Sequence, residues 1–434
     1  MCFITNDGRE MASFFKEGGR LARDTLYTAV DIGTDKGTSI MARVGTEGEL
    51  KVLGTGVVES HGIQKGRIEN IEEVRETVRA SMEEAQRYIG NGAPSGVYAS
   101  VSGTHLTSLN TKEEVENPDD VGDINSKLLN RLLRGAFPDV GPNQEVLHVI
   151  PIGYPVDGMT GIRNPVGLHG SLVEVEAHVV MGDSVVLKNT VKAIETSRAS
   201  VKSMVLHSLA SAESTLTGDE KEMGVVLVDI GGGTTDIVVY RQGQPWYSTV
   251  IPVGGSQLTR DLSVALKTPM HMTEAMKVKF GTVMPEKLST DEKVVIPGFQ
   301  GQPKHSLSRR ILCEPLHDRM LELIKMIVLK VKQSGLREFP SGGIVLTGGG
   351  AEMTGLTHLV QKTLGGQVRT AYPEGISGLP AQLRKPAFAA AVGLLLWGIK
   401  HQGETRSSLN GGRLMMGNKS WRWGLGNKKA AVMR

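Results

Sequence analysis

Cysteine is nearly absent from this chain. Cys2 and Cys313 are the only two among 434 residues. So distant a pair gives neither a disulfide framework nor a zinc-ligand spacing, and it suits a reducing cytosol. Cys313 reads as a core residue. Aromatic residues make up 4% of the sequence, too few for a base-stacking platform. Neither sign of charge dominates: 49 Lys and Arg against 46 Asp and Glu leave a net charge of +3. The chain as a whole is therefore not a nucleic-acid binder. Long apolar runs are also missing. The longest, "PAFAAAVGLLLWGI" (Pro386 to Ile399), falls short of the roughly 20 residues needed to cross a bilayer and predicts a buried helix. Residues 1–24 lack the continuous apolar stretch of a signal peptide and read as a disordered extension. A Walker A sequence is absent, as is any G-x-G-x-x-G between a strand and a helix, so the usual phosphate loops are excluded.

Glycine, by contrast, is abundant and concentrated in informative places. In "VVLVDIGGGTTDIVVYR" (Val225 to Arg241), a β-branched run is interrupted by three glycines and two threonines between two aspartates. Alone, this is an ordinary β-hairpin. A weaker copy lies near the start, "LYTAVDIGTDKGTSIMARV" (Leu26 to Val44), in which Val30, Asp31, Ile32 and Gly33 align with Val228, Asp229, Ile230 and Gly231. Copies so far apart mark a duplicated domain and not a solenoid. The chain length likewise calls for two similar halves or several subdomains. A third glycine turn stands in "GGIVLTGGGAEMTGLTHLV", a buried strand followed by a turn and a helix start.

Between these motifs, residues 71–89 repeat apolar side chains at helical spacing, with Asn70 and Glu73 at capping-box distance and Gly90 as the stop. From Val97 to about Met181 the texture changes to short strands, predicting a small α+β insert. A helix from Ser184 to about Ser197 follows, then a strand "VKSMVLHSLAS". Beyond the second hairpin, "TRDLSVALK" and "TEAMKVKFG" predict short helices, the latter with Thr273 as N-cap and Gly281 as stop. Apolar positions from Ile311 to Gln333 predict a longer helix ended by Gly335.

A triphosphate held between two halves needs amides unshielded by Cβ atoms. Gly231, Gly232, Gly233, Thr234 and Thr235 supply such a row. The first hairpin offers Gly33, Thr34 and the ammonium of Lys36. Asp31 and Asp229, each ending an apolar strand, are hard oxygen ligands suited to Mg²⁺ or its water shell. Gly348, Gly349 and Gly350 leave room for a purine and its ribose.

These three motifs resemble the first phosphate, second phosphate and adenosine motifs of the actin/sugar-kinase/DnaK-type ATPase superfamily. "HGIQKGRIENIEE", "VLHVIP" with "GIRNPVGL", "DIGGGTTDI", "TEAMKVKFG", "GIVLTGGGAEMTGL" and "AAVGLLLWG" resemble segments of the FtsA family in FtsA order, from Tyr27 to Ile399. The resemblance implies an α/β, actin-like ATPase fold: two ribonuclease-H-like halves with an FtsA-type 1C insert, binding ATP and Mg²⁺ with at most slow hydrolysis. Subdomain 1A would comprise residues 25–96 and 182–224, the 1C insert 97–181, subdomain 2A 225–256 and 336–400, subdomain 2B 257–335, and a linker and membrane-targeting tail 401–434. It also implies nucleotide contacts from Lys277 and Lys279, and a water-positioning, catalytic role for Glu213. The FtsZ C-terminal peptide would dock on 2B at His305, Arg319 and Glu322, His305 standing where the family often has arginine. Further implied partners are other copies of the chain and other division proteins, on the cytoplasmic face of the inner membrane at the septum. A PilM-like pilus-assembly homologue carries a 1C-like insert but binds a pilus peptide. A small-molecule kinase would need an acceptor-activating carboxylate, and no sugar-binding motif is found. A DnaK-type chaperone needs a long region after the ATPase, and MreB lacks the insert.

The last stretch, Arg413 to Arg434, holds six basic residues and no acidic one. Trp421, Arg422, Trp423, Leu425, Lys428 and Lys429 pair cations with interfacial tryptophans, the composition of a helix laid on anionic lipid. Each cation near such a surface adds about 1 kcal/mol. Gly417, Gly424 and Gly426 each subtract roughly 1 kcal/mol of helix propensity.

Overall fold

The computed structural model describes residues 26–401, apart from 46–49, 88, 90–95, 118–121, 196–198, 297–303, 337 and 377. The duplicated hairpins seed two sheets of the same design. In the first, β1 (Leu26–Ile32), β2 (Lys36–Val44) and β3 (Leu50–Glu59) form an antiparallel meander. After the short hairpin β4 (Ile63–Gln64) and β5 (Arg67–Ile68) comes helix α1 (Ile71–Gln86), then β6 (Val97–Val101), which lies parallel to β1. An excursion follows through β7 (Leu106–Glu116), α2 (Ser126–Gly135), β8 (Gln144–Gly153) and β9 (Leu172–Asp183). The chain returns by α3 (Ser184–Glu195) to β10 (Val201–Leu206), parallel to β6.

Helices α4 (His207–Thr215) and α5 (Gly218–Met223) lead into the second sheet. Its meander is β11 (Val225–Ile230), β12 (Thr235–Arg241) and β13 (Gln244–Ile251). Then come α6 (Gly255–Leu266), α7 (Met270–Phe280), the hairpin β14 (Lys293–Ile296) and β15 (His305–Ser308), and α8 (Arg309–Gln333). Parallel strands β16 (Ile344–Thr347) and β17 (Val368–Thr370), separated by α9 (Leu356–Leu364), complete the sheet before α10 (Ala389–Lys400). The two strand orders correspond position for position: β3-β2-β1-β6-β10 and β13-β12-β11-β16-β17.

Even the hairpin registers coincide. Ile32 faces Gly37 and Ile230 faces Thr235, so each turn has four residues. In each the first amide bonds the last carbonyl at 2.9 Å, Gly33 N–H to Lys36 O and Gly231 N–H to Thr234 O.

Both faces of each central strand are covered. Strand periodicity sends Tyr27 and Ala29 of β1, and Val225 and Leu227 of β11, into one core shared by the two sheets. Helices α4 and α10 fill the space between the sheets. Alternate residues face outward instead, Val30 toward α1 and α3, Val226 and Val228 toward α6, α8 and α9. The long apolar run is thus buried between the sheets, and Cys313 is buried in the second half's outer core. Among the described residues no helix is long and apolar enough to cross a membrane.

Three expectations need correction. Val97–Val101 does not open the insert: it is the strand beside β1 in the first sheet, and the separate three-stranded sheet β7-β9-β8, covered by α2, begins after it. The strand expected through "VKSMVLHSLAS" stops at Leu206, and His207 starts a helix. Helix α7 starts at Met270, with Thr273 inside it, buried and bonded to the carbonyls of Pro269 and Thr268.

Candidate functional site

The paired hairpins point into one cavity of about 480 Å³. Asp31, Gly33, Thr34 and Lys36 line it from the first half, and Asp229, Gly231 and Gly232 from the second. Lys277 enters from α7 and Gly348, Gly349 and Gly350 from the turn after β16. Backbone geometry explains Gly348: its φ is +82° and a Cβ there would overlap Asp229 Oδ1.

Strand ends aim the two aspartates at each other's neighbourhood. Asp31 is 5% exposed and accepts from Ser100 Oγ at 2.5 Å; Asp229 is 2% exposed and accepts from Ser211 Oγ at 2.5 Å. Between them stands His207 at the start of α4, with Nε2 3.7 Å from Asp31 and Nδ1 3.5 Å from Asp229. Burial alone would lower the imidazole pKa, but Asp229, Asp31 and Asp236 together raise it to about 9. Burial lifts the Asp229 carboxyl against the pull of His207, and lifts Asp236 to about 6. Lys36 approaches the Phe388 ring to 4.6 Å, and burial lowers its pKa against the attraction of Asp31 and Asp229. Lys277 donates to Thr259 Oγ1 at 2.8 Å and Gly255 O at 3.1 Å and pairs with Glu274 at 2.7 Å.

Other expected residues are placed elsewhere. Thr235 Oγ1 donates to Val253 O at 2.8 Å, and Thr234 Oγ1 to Asp236 Oδ2 at 2.9 Å, beside Ser102 from the first half. A Cβ on Gly233 would overlap Thr34 Oγ1, so this glycine admits the opposite hairpin. Lys279 lies 5.2 Å from the Phe280 ring centroid and outside the cavity lining. Glu213 is also away from that lining, held by Lys400 at 3.1 Å and Lys221 at 3.6 Å. Its carboxyl is bonded to Lys400 and does not line the cavity. On α8, Arg319 bonds Asp261 of α6 at 2.5 Å and Glu322 at 2.6 Å. The backbone of His305 opens β15 opposite Ile296. Trp421, Arg422, Trp423, Leu425, Lys428 and Lys429 lie outside the described residues.

Sequence reasoning missed His207, Asp35 and Glu274, all of which line the cavity. His207 sat inside an expected strand and gave no periodic signal. Asp35 gave one weak cue, its place inside the first glycine turn.

The donor set fits a magnesium nucleotide. Two buried carboxylates offer oxygen ligands, two lysines offer counter-charge, and the glycine turns give close backbone approach. Bound Mg²⁺ would neutralise phosphate charge, with Asp31 and Asp229 as the groups to hold it or its waters.

Comparison with known proteins agrees with this architecture. The family model described as cell division protein FtsA matches residues 226–393, and the model of the SHS2 domain inserted in FtsA matches 103–181. The chain is 34% identical to the cell division protein FtsA of Pseudomonas aeruginosa over 383 residues, covering 88% of this chain and 91% of that one. Against FtsA of Escherichia coli K12 it is 35% identical over 387 residues, covering 86% and 90%. Among solved structures it resembles the PilM-PilN type IV pilus biogenesis complex, with a TM-score of 0.61 at 15% identity over 87% of this chain and 98% of that one. MreB 5 of Spiroplasma citri bound to AMPPNP gives 0.52 at 11% identity, over 85% and 95%. The fold is α/β and actin-like, two related halves with an FtsA-type insert, and the chain belongs to the FtsA family of cell division proteins.

Proposed function

We propose that this protein binds Mg-ATP in the cavity between its halves, assembles with copies of itself, and links FtsZ filaments to the cytoplasmic face of the membrane at the division site. The observation that carries the nucleotide reading is the matched pair of four-residue glycine turns, which brings Asp31 and Asp229 to one cavity. The AMPPNP bound by MreB 5 of Spiroplasma citri supports the same ligand class. Identities of 34% and 35% to FtsA proteins over most of the chain favour the division role over the pilus role, which rests on likeness of fold.

In this reading subdomain 1A is built around the first sheet, 2A around the second, and 2B from α6 to α8. Arg319 and Glu322 would meet the FtsZ C-terminal peptide near His305. Their bonds to each other and to Asp261 leave charged groups on an ordered helix face. Residues 413–434 would bring the protein to anionic lipid.

The test of the nucleotide reading is calorimetric titration with Mg-ATP. Wild type should bind and Asp229→Ala should not, whereas equal binding by the variant would remove the site. For the partner, a labelled FtsZ C-terminal peptide should bind saturably, with loss in Glu322→Lys; no binding by folded, ATP-competent protein would sink that assignment. Deletion of residues 413–434 should release the protein from anionic liposomes in flotation. Retention would place the anchor elsewhere.

A further inference from the structure

A carboxylate of the first half packs against the backbone of the second glycine turn. A Cβ on Gly232 would overlap both oxygens and the carboxyl carbon of Asp35, so the carboxylate of the first turn rests against the backbone of the second. Ser256, at the start of α6, donates to Asp35 Oδ1 at 3.3 Å and bonds Gly232 O through its own amide at 2.8 Å. Asp35 and Gly232 line the same cavity, with Glu274, Lys277 and Lys36 also on its wall. Burial and Glu274 lift the Asp35 carboxyl, against Lys277, the Ser256 hydroxyl and Lys36.

Its position along the cleft decides what this carboxylate opposes. Gly348 and Gly350 abut Asp229 and Ile230 at the root of the second hairpin, and the apolar Val278 and Met353 line the cavity with them. The turn backbone with Val278 and Met353 offers a base and ribose their cover, beside the strand end that carries Asp229. Gly232 lies farther along, inside the turn where the first half crosses over. With the base on that cover, the phosphates pass Asp229, and the one most distant from the base is the one that reaches the turn.

We infer that Asp35 is a specificity-determining residue of the cleft, a fixed anion on the second glycine turn that disfavours the terminal phosphate of a triphosphate relative to a diphosphate. The inference rests on the nucleotide-binding reading above. Like charges brought together in a partly desolvated site repel far more than in water. A triphosphate must share the turn with this carboxylate or displace it from Ser256, whereas a diphosphate stops short of it.

The test is direct titration of the full chain with Mg-ADP and with Mg-ATP, for wild type, Asp35→Asn and Asp35→Ser. Asparagine keeps the shape and an acceptor for Ser256 while removing the charge; serine guards against a fault specific to the amide. In both variants the preference for ATP over ADP should rise roughly ten-fold, while ADP affinity changes little. An unchanged ratio, equal tightening of both nucleotides, or weakened ATP binding in folded variants overturns the inference. If folded wild type and variants bind neither nucleotide, the cleft reading itself fails and takes the inference with it.

Discussion

Glu213 is a buried carboxylate whose charge depends on two ammonium groups. Burial opposes its ionisation, but Lys221 and Lys400 overcome this and hold it at about 2, below its ordinary 4.5. A depressed acid stabilises the fold above the unfolded-state value and loses that contribution as pH falls through the folded one. Glu213→Gln should therefore cost about 2–3 kcal/mol near neutral pH, the shift being discounted because Lys400 is half exposed. The gap between wild-type and variant unfolding midpoints should narrow as pH drops from 4.5 toward 2. A gap independent of pH would show that the cost is packing alone. Gly348→Ala offers a second measurement at this scale. Positive φ and the overlap with Asp229 predict a loss of roughly 1–3 kcal/mol in stability, with Mg-ATP titration reporting weaker binding. The places of Asp31 and Asp229 at strand ends beside their turns were legible in the sequence because strand periodicity fixes where a turn begins. His207 and Asp35 were not, because their roles depend on residues of the opposite half, and no local pattern encodes that pairing.

Helices α4 and α10 show how closely the interior elements meet. A Cβ on Gly393 of α10 would overlap the carbonyl of Ala210 in α4, and Ser214 Oγ bonds Ala389 O at 2.7 Å across the same crossing. Backbone this near cannot yield as a flexible side chain does. Gly393→Val should lower stability by about 3 kcal/mol, the upper range for overpacking. A thermal midpoint within a degree or two of wild type would mean that the helices can separate freely. Capping explains why one helix start was legible and another was not. Asn70 caps α1 with its own side chain, accepting from the amides of Glu72 and Glu73, so the start is written locally. Helix α4 has no side-chain cap, and burial against both sheets holds its first turn. Sequence reasoning accordingly carried "VKSMVLHSLAS" on as a strand.

The insert leaves the first sheet after β6 but fastens to the second. Ser108 Oγ donates to Ser248 O at 2.7 Å, Asn110 Nδ2 donates to Trp246 O at 3.1 Å, and His178 spans Asn110 and Ser248 at 2.8 and 3.0 Å. Burial holds the His178 imidazole low, at about 4, so it serves this network as a neutral ring. His178→Ala would leave the buried Ser248 hydroxyl unmet, at about 1–3 kcal/mol. Faster amide exchange in β7 and β13 should report it, and unchanged exchange in both strands would count against the seam. The duplication was legible over the whole chain because both halves repeat the same hairpin. The seam was not, since serine, asparagine and histidine on a strand look alike whether they face solvent or another sheet. Its consequence concerns force. A pull on the insert reaches β13 directly, side chain to backbone, without first crossing the cavity between the halves. Tension applied to the insert would thus be delivered to the half opposite the one from which the insert grows.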